Sequence, residues 1–357
     1  MKKIVFLISA IALFIGIGYQ ASASEFNFAV TPNIPDNQVD KTKTYFDLKL
    51  NQNTEQDLTM ELRNDTENEV TIELSVNSAT TNMNGVVEYG SNKIKQDKSL
   101  KYNLKDLVTI QSEVKIPAKS KQSVPLRVKM PNEKISGVLA GGITLKEKKE
   151  EENKKSAASS GMAIKNEYSY VVALLMRQST AAIKPNLLLQ NVAAGQNNAR
   201  NVIQANLQNP EPTYLNQLKV QAEITKKGSS KVLFHSEKSG MQMAPNSNFD
   251  YPIALNGAKL AGGNYHIKIV AYGGKNENGS FTSGKDENGL GIKYTYKWTL
   301  EKDFTIKDDV AKKLNQKDVS IKQDNTWLYL LIALLIVLVV IFLVIWKRKK
   351  QKHDEKE

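Results

Sequence analysis

The chain has 357 residues, with 49 Lys and Arg against 37 Asp and Glu, a net charge of +12, 41% hydrophobic residues and no cysteine. Without cysteine there can be no disulfide, thiolate metal site or thiol nucleophile, so any folded part must rest on its hydrophobic cores. The basic excess suits an anionic wall or membrane environment and equally suits plain lysine-rich solubility, whereas the lack of clustered arginine and aromatic residues argues against nucleic acid.

In chain order, Lys2 and Lys3 lead into an apolar run over 4–17 and the small triplet Ala21, Ser22, Ala23. This is the charged, apolar and small-residue order of a secretory signal, so residues 1–23 are expected to be cleaved after Ala23, an uncleaved anchor being the alternative.

From residue 45 the pattern is of short strands with period two. Phe46, Leu48 and Leu50 alternate with polar neighbours, as do Leu58, Met60 and Leu62, and then Val70, Ile72, Leu74 and Val76. Each predicts a strand with one wet face. The Asn/Asp-rich residues 64–68 predict a hairpin loop, and 117–121 a turn between strands over 108–116 and 124–130. Apolar strands at 138–145 and 168–176 flank a charged, small-residue insert, 146–161, expected to be an exposed loop.

The first domain is predicted to occupy 24–178 and the second 179–306. In the second, strands are expected at 187–192, 202–209, 218–225, 231–236, 249–255, 265–272 and 294–306, with residues 226–229 as a hairpin turn. The glycine-rich residues 273–291 are expected to form a long mobile loop. Short strands at regular spacing without a long helical period predict an all-β architecture, two immunoglobulin-like β-sandwich domains in tandem.

Residues 307–326 are polar and are expected to form a stalk. Residues 327–346 carry no charge, amide, glycine or proline and are bounded by Trp327 and Trp346. As a helix this run is about 30 Å long, the thickness of a bilayer core, and predicts one C-terminal transmembrane helix. The basic tail after it, residues 347–357, is expected in the cytoplasm, placing the sandwiches outside the membrane. A sortase signal is not supported, since 307–326 lacks an L-P-x-T-G motif.

No G-x-S-x-G, H-E-x-x-H, Walker loop or G-x-G-x-x-G is present, so no enzyme and no cofactor is expected. His235 and His266 fall on predicted strands rather than beside a nucleophile. Asp286 to Gly289 resembles part of a calcium loop but lacks its ligand spacing, and no metal is assigned there. The sequons at Asn64 and Asn278 read as turns. Two stretches hold more amides and hydroxyls than sheet structure needs, 32–38 and 77–85. Asn33, Asn37 and Gln38 in the first, with Asn77, Thr80, Thr81 and Asn82 in the second, are the candidate ligand-binding residues. Such groups on loops can hydrogen-bond the hydroxyls and acetamido groups of a wall glycan, and loop chemistry alone produces the same composition.

Several motifs carry a resemblance. F-N-F-A-V-T-P-N-I-P-D-N-Q (26–38), Y-F-D-L-K-L (45–50), N-S-A-T-T-N-M-N-G-V-V-E-Y (77–89), I-P-A-K-S (116–120) and L-A-G-G-I (139–143) resemble the first domain of the WxL-interacting proteins of Gram-positive bacteria. Q-N-P-E-P (208–212), V-Q-A-E-I-T-K-K-G (220–228) and M-A-P-N-S-N-F-D-Y-P-I (243–253) resemble their second. The resemblance implies a peptidoglycan-binding domain followed by one that binds host or partner proteins, in complex with WxL-bearing surface proteins. It implies no residue-level contact map. Trp298-Thr299-Leu300 spells W-x-L within a predicted strand and is read as core packing. The expected function is a membrane-anchored, non-catalytic surface adaptor. The alternative is an extracytoplasmic assembly chaperone that accepts a partner strand at a sheet edge; a wall hydrolase finds no supporting residues.

Overall fold

The computed structural model describes residues 27–148, 168–321 and 326–354. The expected signal (1–23) and all of the 146–161 insert beyond Lys148 lie outside the described residues. Lys146 and Glu147 belong to a strand.

The first domain is built from β1 (Phe28–Pro32), β2 (Phe46–Lys49), β3 (Glu55–Asn64), β4 (Val70–Ser78), β5 (Thr80–Thr81), β6 (Val87–Glu88), β7 (Val108–Ile110), β8 (Glu113–Ile116), β9 (Ser120–Lys129), β10 (Leu139–Glu147) and β11 (Ser169–Arg177). Two sheets, β1-β3-β9-β7 and β2-β11-β10-β4-β8, face each other as a sandwich, with the small β5-β6 hairpin apart. All pairings are antiparallel except β2 with β11. The alternation in the sequence is what fills the core. Met60 and Leu62 from β3, Ile72 from β4, Val124 and Val128 from β9 and Ile143 and Leu145 from β10 are buried together. On the wet face, Glu55 opposes Lys129 and Asp57 opposes Arg127 in register, a cross-strand pairing that adds modestly to the ladder.

Two details of this domain were not foreseen. The strand expected over 108–116 is two, β7 in one sheet and β8 in the other. Gln111 and Ser112 interrupt the apolar alternation between them, and the chain crosses the sandwich there. In β10 the L-A-G-G-I motif lies at contact distance from the adjacent strand β4. A Cβ on Gly141 would lie 2.1 Å from the Asn77 carbonyl oxygen, so only glycine fits.

The second domain comprises β12 (Leu188–Asn197), β13 (Arg200–Asn209), β14 (Leu215–Lys226), β15 (Val232–Met243), β16 (Ser247–Ala254), β17 (Gly263–Lys275), β18 (Phe281–Lys285) and β19 (Gly291–Ile306). Sheets β12-β13-β16 and β15-β14-β17-β19-β18 pack as a second sandwich. Its core joins Ile203, Leu207, Val220, Ile224, Tyr251, Ile267 and Ile269. The β12-β13 turn places Asn198 and Ala199 at φ 49° and 57°, the left-handed pair that matches hairpin twist. Residues 273–291, expected to be a mobile loop, instead carry the end of β17, all of β18 and the start of β19. β18 pairs with β19 through a register shift. The glycines there serve turns and close approach, so their abundance signals a tight hairpin rather than mobility.

The expected stalk is also different. Residues Asp308–Lys317 form helix α1, docked on the second domain with Ala311 and, beyond its end, Ile321 buried. Asn315 donates from Nδ2 to the Leu260 carbonyl at 2.9 Å and accepts at Oδ1 from the Leu260 N–H and from Asn201 Nδ2, each at 2.9 Å. Asp318 accepts from the Asn201 N–H at 2.7 Å and from the Ser320 N–H at 2.7 Å. The segment reads as a stalk because its apolar contacts, Ala311 and Leu314 on the second core and Ile321 beyond, are few, and amide and carboxylate groups fasten it together with them. After it comes helix α2 (Thr326–Asp354). Its described side chains, residues 330–346, are all exposed; among the described residues alone no helix is long and apolar enough to cross a membrane.

Asn315→Ala removes three hydrogen bonds at a half-buried site and is expected to destabilise the second domain by about 1–3 kcal/mol, read as a lower urea midpoint. Proteolysis should then open the chain near α1. An unchanged midpoint would mean that α1 is not part of the domain.

Candidate functional site

The first candidate stretch follows β1. Asn33 is exposed and donates from Nδ2 to Thr59 Oγ1 at 2.7 Å. Asn37 exchanges a pair of hydrogen bonds with Gln56, at 2.8 and 3.0 Å, and donates to the Lys49 carbonyl at 3.0 Å. Gln38 is buried. Its Nε2 donates to the Tyr45 carbonyl at 2.7 Å and its Oε1 accepts from the Asp47 N–H at 2.8 Å. These amides therefore fasten the chain entering β2 onto β2 and β3, and only Asn33 among them is solvent-exposed.

The second stretch lies where the two domains meet. Asn77 Nδ2 is buried and has no hydrogen-bond partner. Thr80 is buried and accepts from Asn92 Nδ2 at 2.9 Å. Thr81, 1% exposed, has its hydroxyl 2.7 Å from Ser247 Oγ and accepts the Ala244 N–H at 3.0 Å. Asn82 folds its own hairpin: Oδ1 accepts from the Asn84 and Val86 N–H groups and Nδ2 donates to Glu88 at 2.7 Å. The structure thus turns Thr80 and Thr81 away from solvent, Thr81 toward the other domain, and brings no hydrogen bond between the two stretches.

A seam that the sequence did not suggest surrounds Thr81. Ala79, Val138, Ala140, Leu175 and Ala244 form a small apolar cluster bridging the domains, flanked by Tyr45, Tyr89 and Tyr214. The Tyr89 hydroxyl donates to that of Tyr214 at 3.0 Å, and burial pushes the Tyr214 phenol far above its usual range. Backbones touch as well: Val138 N–H donates to the Pro212 carbonyl at 2.9 Å and Gln242 N–H to the Gly85 carbonyl at 2.8 Å. A Cβ on Gly137, at φ +72°, would fall 2.0 Å from the Pro212 oxygen.

Asp97 holds the far side of the seam. Its carboxylate accepts from Gln208 Nε2 at 2.8 Å and from Asn248 Nδ2 at 2.5 Å in the second domain, and from Ser99 in its own. Burial opposes its ionisation, but the hydrogen bonds from Ser99, Gln208 and Asn248 prevail and hold the carboxyl below its ordinary value of 3.8.

Elsewhere the chemistry is that of a solvated sheet face. His266 Nδ1 lies 2.8 Å from Asp303 Oδ1, its cross-strand partner in register, and Lys227 pairs with the same carboxylate at 2.8 Å. Hydrogen bonds from Lys227 and then His266 hold Asp303 below the usual carboxylate range. Asp286 accepts from the Asn288 and Leu290 N–H groups, closing the β18-β19 turn. Among the described residues no group of three or more His, Asp or Glu is placed to hold a metal. Trp298 packs half-buried on the second core beside Tyr296.

The seam predicts a response to acid. Because Asp97 has a lower pKa folded than unfolded, its contribution is fully present above about pH 4 and fades as pH falls through the folded value. As pH falls below about 4 the domains should loosen, seen as a larger radius of gyration in small-angle scattering. Asp97→Ala should loosen them already at neutral pH, by about 1–2 kcal/mol given the partial exposure of the carboxylate. A radius independent of both pH and the substitution would contradict this.

Comparison with known proteins places the chain. Residues 28–147 match the model of the WxL Interacting Protein peptidoglycan binding domain, and residues 159–316 that of the WxL Interacting Protein host binding domain. No curated protein is similar to the chain. Among solved structures, a chaperone–tip adhesin complex of CFA/I fimbriae biogenesis is 11% identical, covering 75% of this chain and 99% of that one at a TM-score of 0.29. The class 5 fimbriae chaperone CfaA is 12% identical over 75% and 99% of the two chains, with a TM-score of 0.27, and the E. coli chaperone DraB is 12% identical over 79% and 96%, with a TM-score of 0.28. The two domain matches together take in both sandwiches and helix α1, and on them the chain belongs to the WxL interacting protein family.

Proposed function

We propose that this protein is a non-catalytic cell-surface adaptor, held in the membrane, whose first sandwich engages peptidoglycan and whose second engages WxL-type surface proteins and host proteins. The observation that carries this reading is the order of the two matched domains, peptidoglycan binding then host binding, in one chain. The closed seam between them supports it, because a wall contact at one domain is then mechanically joined to a partner contact at the other. We take both sandwiches as immunoglobulin-like in type. The exposed apolar face of α2, together with Trp327, Trp346 and the Lys/Arg run at 347–350, supports a helix that crosses the bilayer with its tail in the cytoplasm. Export would use residues 1–23 as signal.

Peptidoglycan recognition would fall to the exposed part of the first domain, with Asn33 as the candidate contact. The purified chain should pellet with insoluble peptidoglycan at about physiological salt. A chain that stays in the supernatant at low and moderate salt would refute the wall-binding reading.

Topology is testable because the chain has no native cysteine. In intact cells a membrane-impermeant maleimide is expected to label Lys285→Cys and to leave His353→Cys unlabelled until the cells are opened. Equal labelling of both would reject the membrane-spanning assignment of α2.

A further inference from the structure

The segment between β6 and β7 crosses the first domain beside the seam as an extended strap, residues 90–103, ending in a short 3-10 turn at Leu104–Asp106. It is anchored from inside at several points. The Ser91 N–H donates to Thr144 Oγ1 at 3.1 Å. Asn92 donates to Thr80 Oγ1 at 2.9 Å and accepts from the Ile94 N–H at 2.9 Å. Gln96 accepts from Asn103 Nδ2 at 2.6 Å, and Asp97 is tied across the seam to Gln208 and Asn248.

What this anchored strap displays outward is lysine. Lys93, Lys95, Lys98 and Lys105 are all exposed, and no ion pair among the described residues reaches any of the four. Most other basic side chains of the domain have an acidic partner: Lys115 with Glu69, Lys119 with Glu67, Lys121 with Glu61, Arg127 with Asp57, Lys129 with Glu55 and Lys148 with Glu113. Even Lys101, within the strap, is paired with Glu133. The strap's own carboxylate at Asp97 points inward to amides of the other domain, leaving Asp106 as the acidic side chain on its outer side. Like charges on one short segment repel, and the internal anchors hold them together regardless.

We infer that the strap is a docking rail for a linear polyanion, whose repeated phosphate or carboxylate groups meet Lys93, Lys95, Lys98 and Lys105. Lys93 and Lys95, two apart on extended backbone, are separated by about 7 Å along the chain, with Lys98 following on the turn at 98–99 and Lys105 on the 3-10 turn, so the charges follow one segment of chain rather than line a pocket that would enclose a single small anion. Lysine supplies point charges without the planar fork that selects individual groups, which suits a repeating polymer. The strap has no arginine, and its one ring, Tyr102, is half-buried beneath Lys101, so it offers no stacking platform for nucleic-acid bases.

The test uses the full chain in detergent with two immobilised probes, long-chain inorganic polyphosphate and hyaluronate. Binding to at least one is expected near 0.15 M salt, with log affinity falling against log salt at a slope of about −3, as four contacts to a flexible polyanion predict. The arm that binds tells whether a phosphate- or carboxylate-bearing polymer is the source. A fourfold variant, K93Q/K95Q/K98Q/K105Q, should abolish retention with an unchanged thermal transition. A control of equal charge change at paired lysines, K119Q/K121Q/K129Q/K148Q, should keep most of it. Absence of binding on both probes, or equal loss in the two variants, would overturn the proposal. The strap variant should still pellet with polymer-stripped peptidoglycan, so the result stands apart from the wall-binding reading.

Discussion

The hydroxyl of Thr81 sits buried between two domains. It meets Ser247 and the Ala244 N–H of the second domain, while Gly137 lets the Pro212 backbone come closer than any side chain would allow and Gly85 makes room for the Met241 side chain. Small residues at close approach are a steric constraint before they are an attraction: they fix the distance, and the hydrogen bonds then fix the orientation. The apolar cluster around Ala140 and Leu175 excludes water from the same place. With that distance set, the β5-β6 hairpin, the strap and the β15-β16 turn have a single arrangement.

The strap depends on this arrangement most directly. Its anchors are shared between domains, since Asp97 binds Gln208 and Asn248 while Asn92 binds Thr80, the neighbour of Thr81. A carboxylate that accepts several neutral donors is well satisfied without a cation, which leaves the adjacent lysines with no internal partner. Charge display on the outside of the strap is therefore a consequence of how its inside is fastened.

Much of the architecture could be read from the residues. Alternation over Val70, Ile72, Leu74 and Val76, and over Leu218, Val220, Ala222 and Ile224, placed strands correctly because a half-buried sheet writes its period into the chain. Elements held by other means were harder to read. Helix α1 is fastened by Asn315 and Asp318, whose side chains give no periodic signal. The β18-β19 hairpin hid behind glycines that resemble a loop. The candidate site was least legible, because Thr81 and Gln38 have the composition of a wet loop and the position of buried fasteners. Only their hydrogen-bond partners, Ser247 far along the chain for the one and Asp47 across a local turn for the other, tell the two apart.

Because the seam joins the domains side to side, it runs in parallel with the covalent linker between β11 and β12. Tension drawn between the first domain and α1 would be shared by the Thr81–Ser247 contact, the Val138–Pro212 backbone bond and the Asp97 clamp together. Bonds loaded together give way together. The joint is thus a stiff coupling rather than a hinge, which yields in one step at a threshold force and below it passes displacement from one domain to the other with little loss.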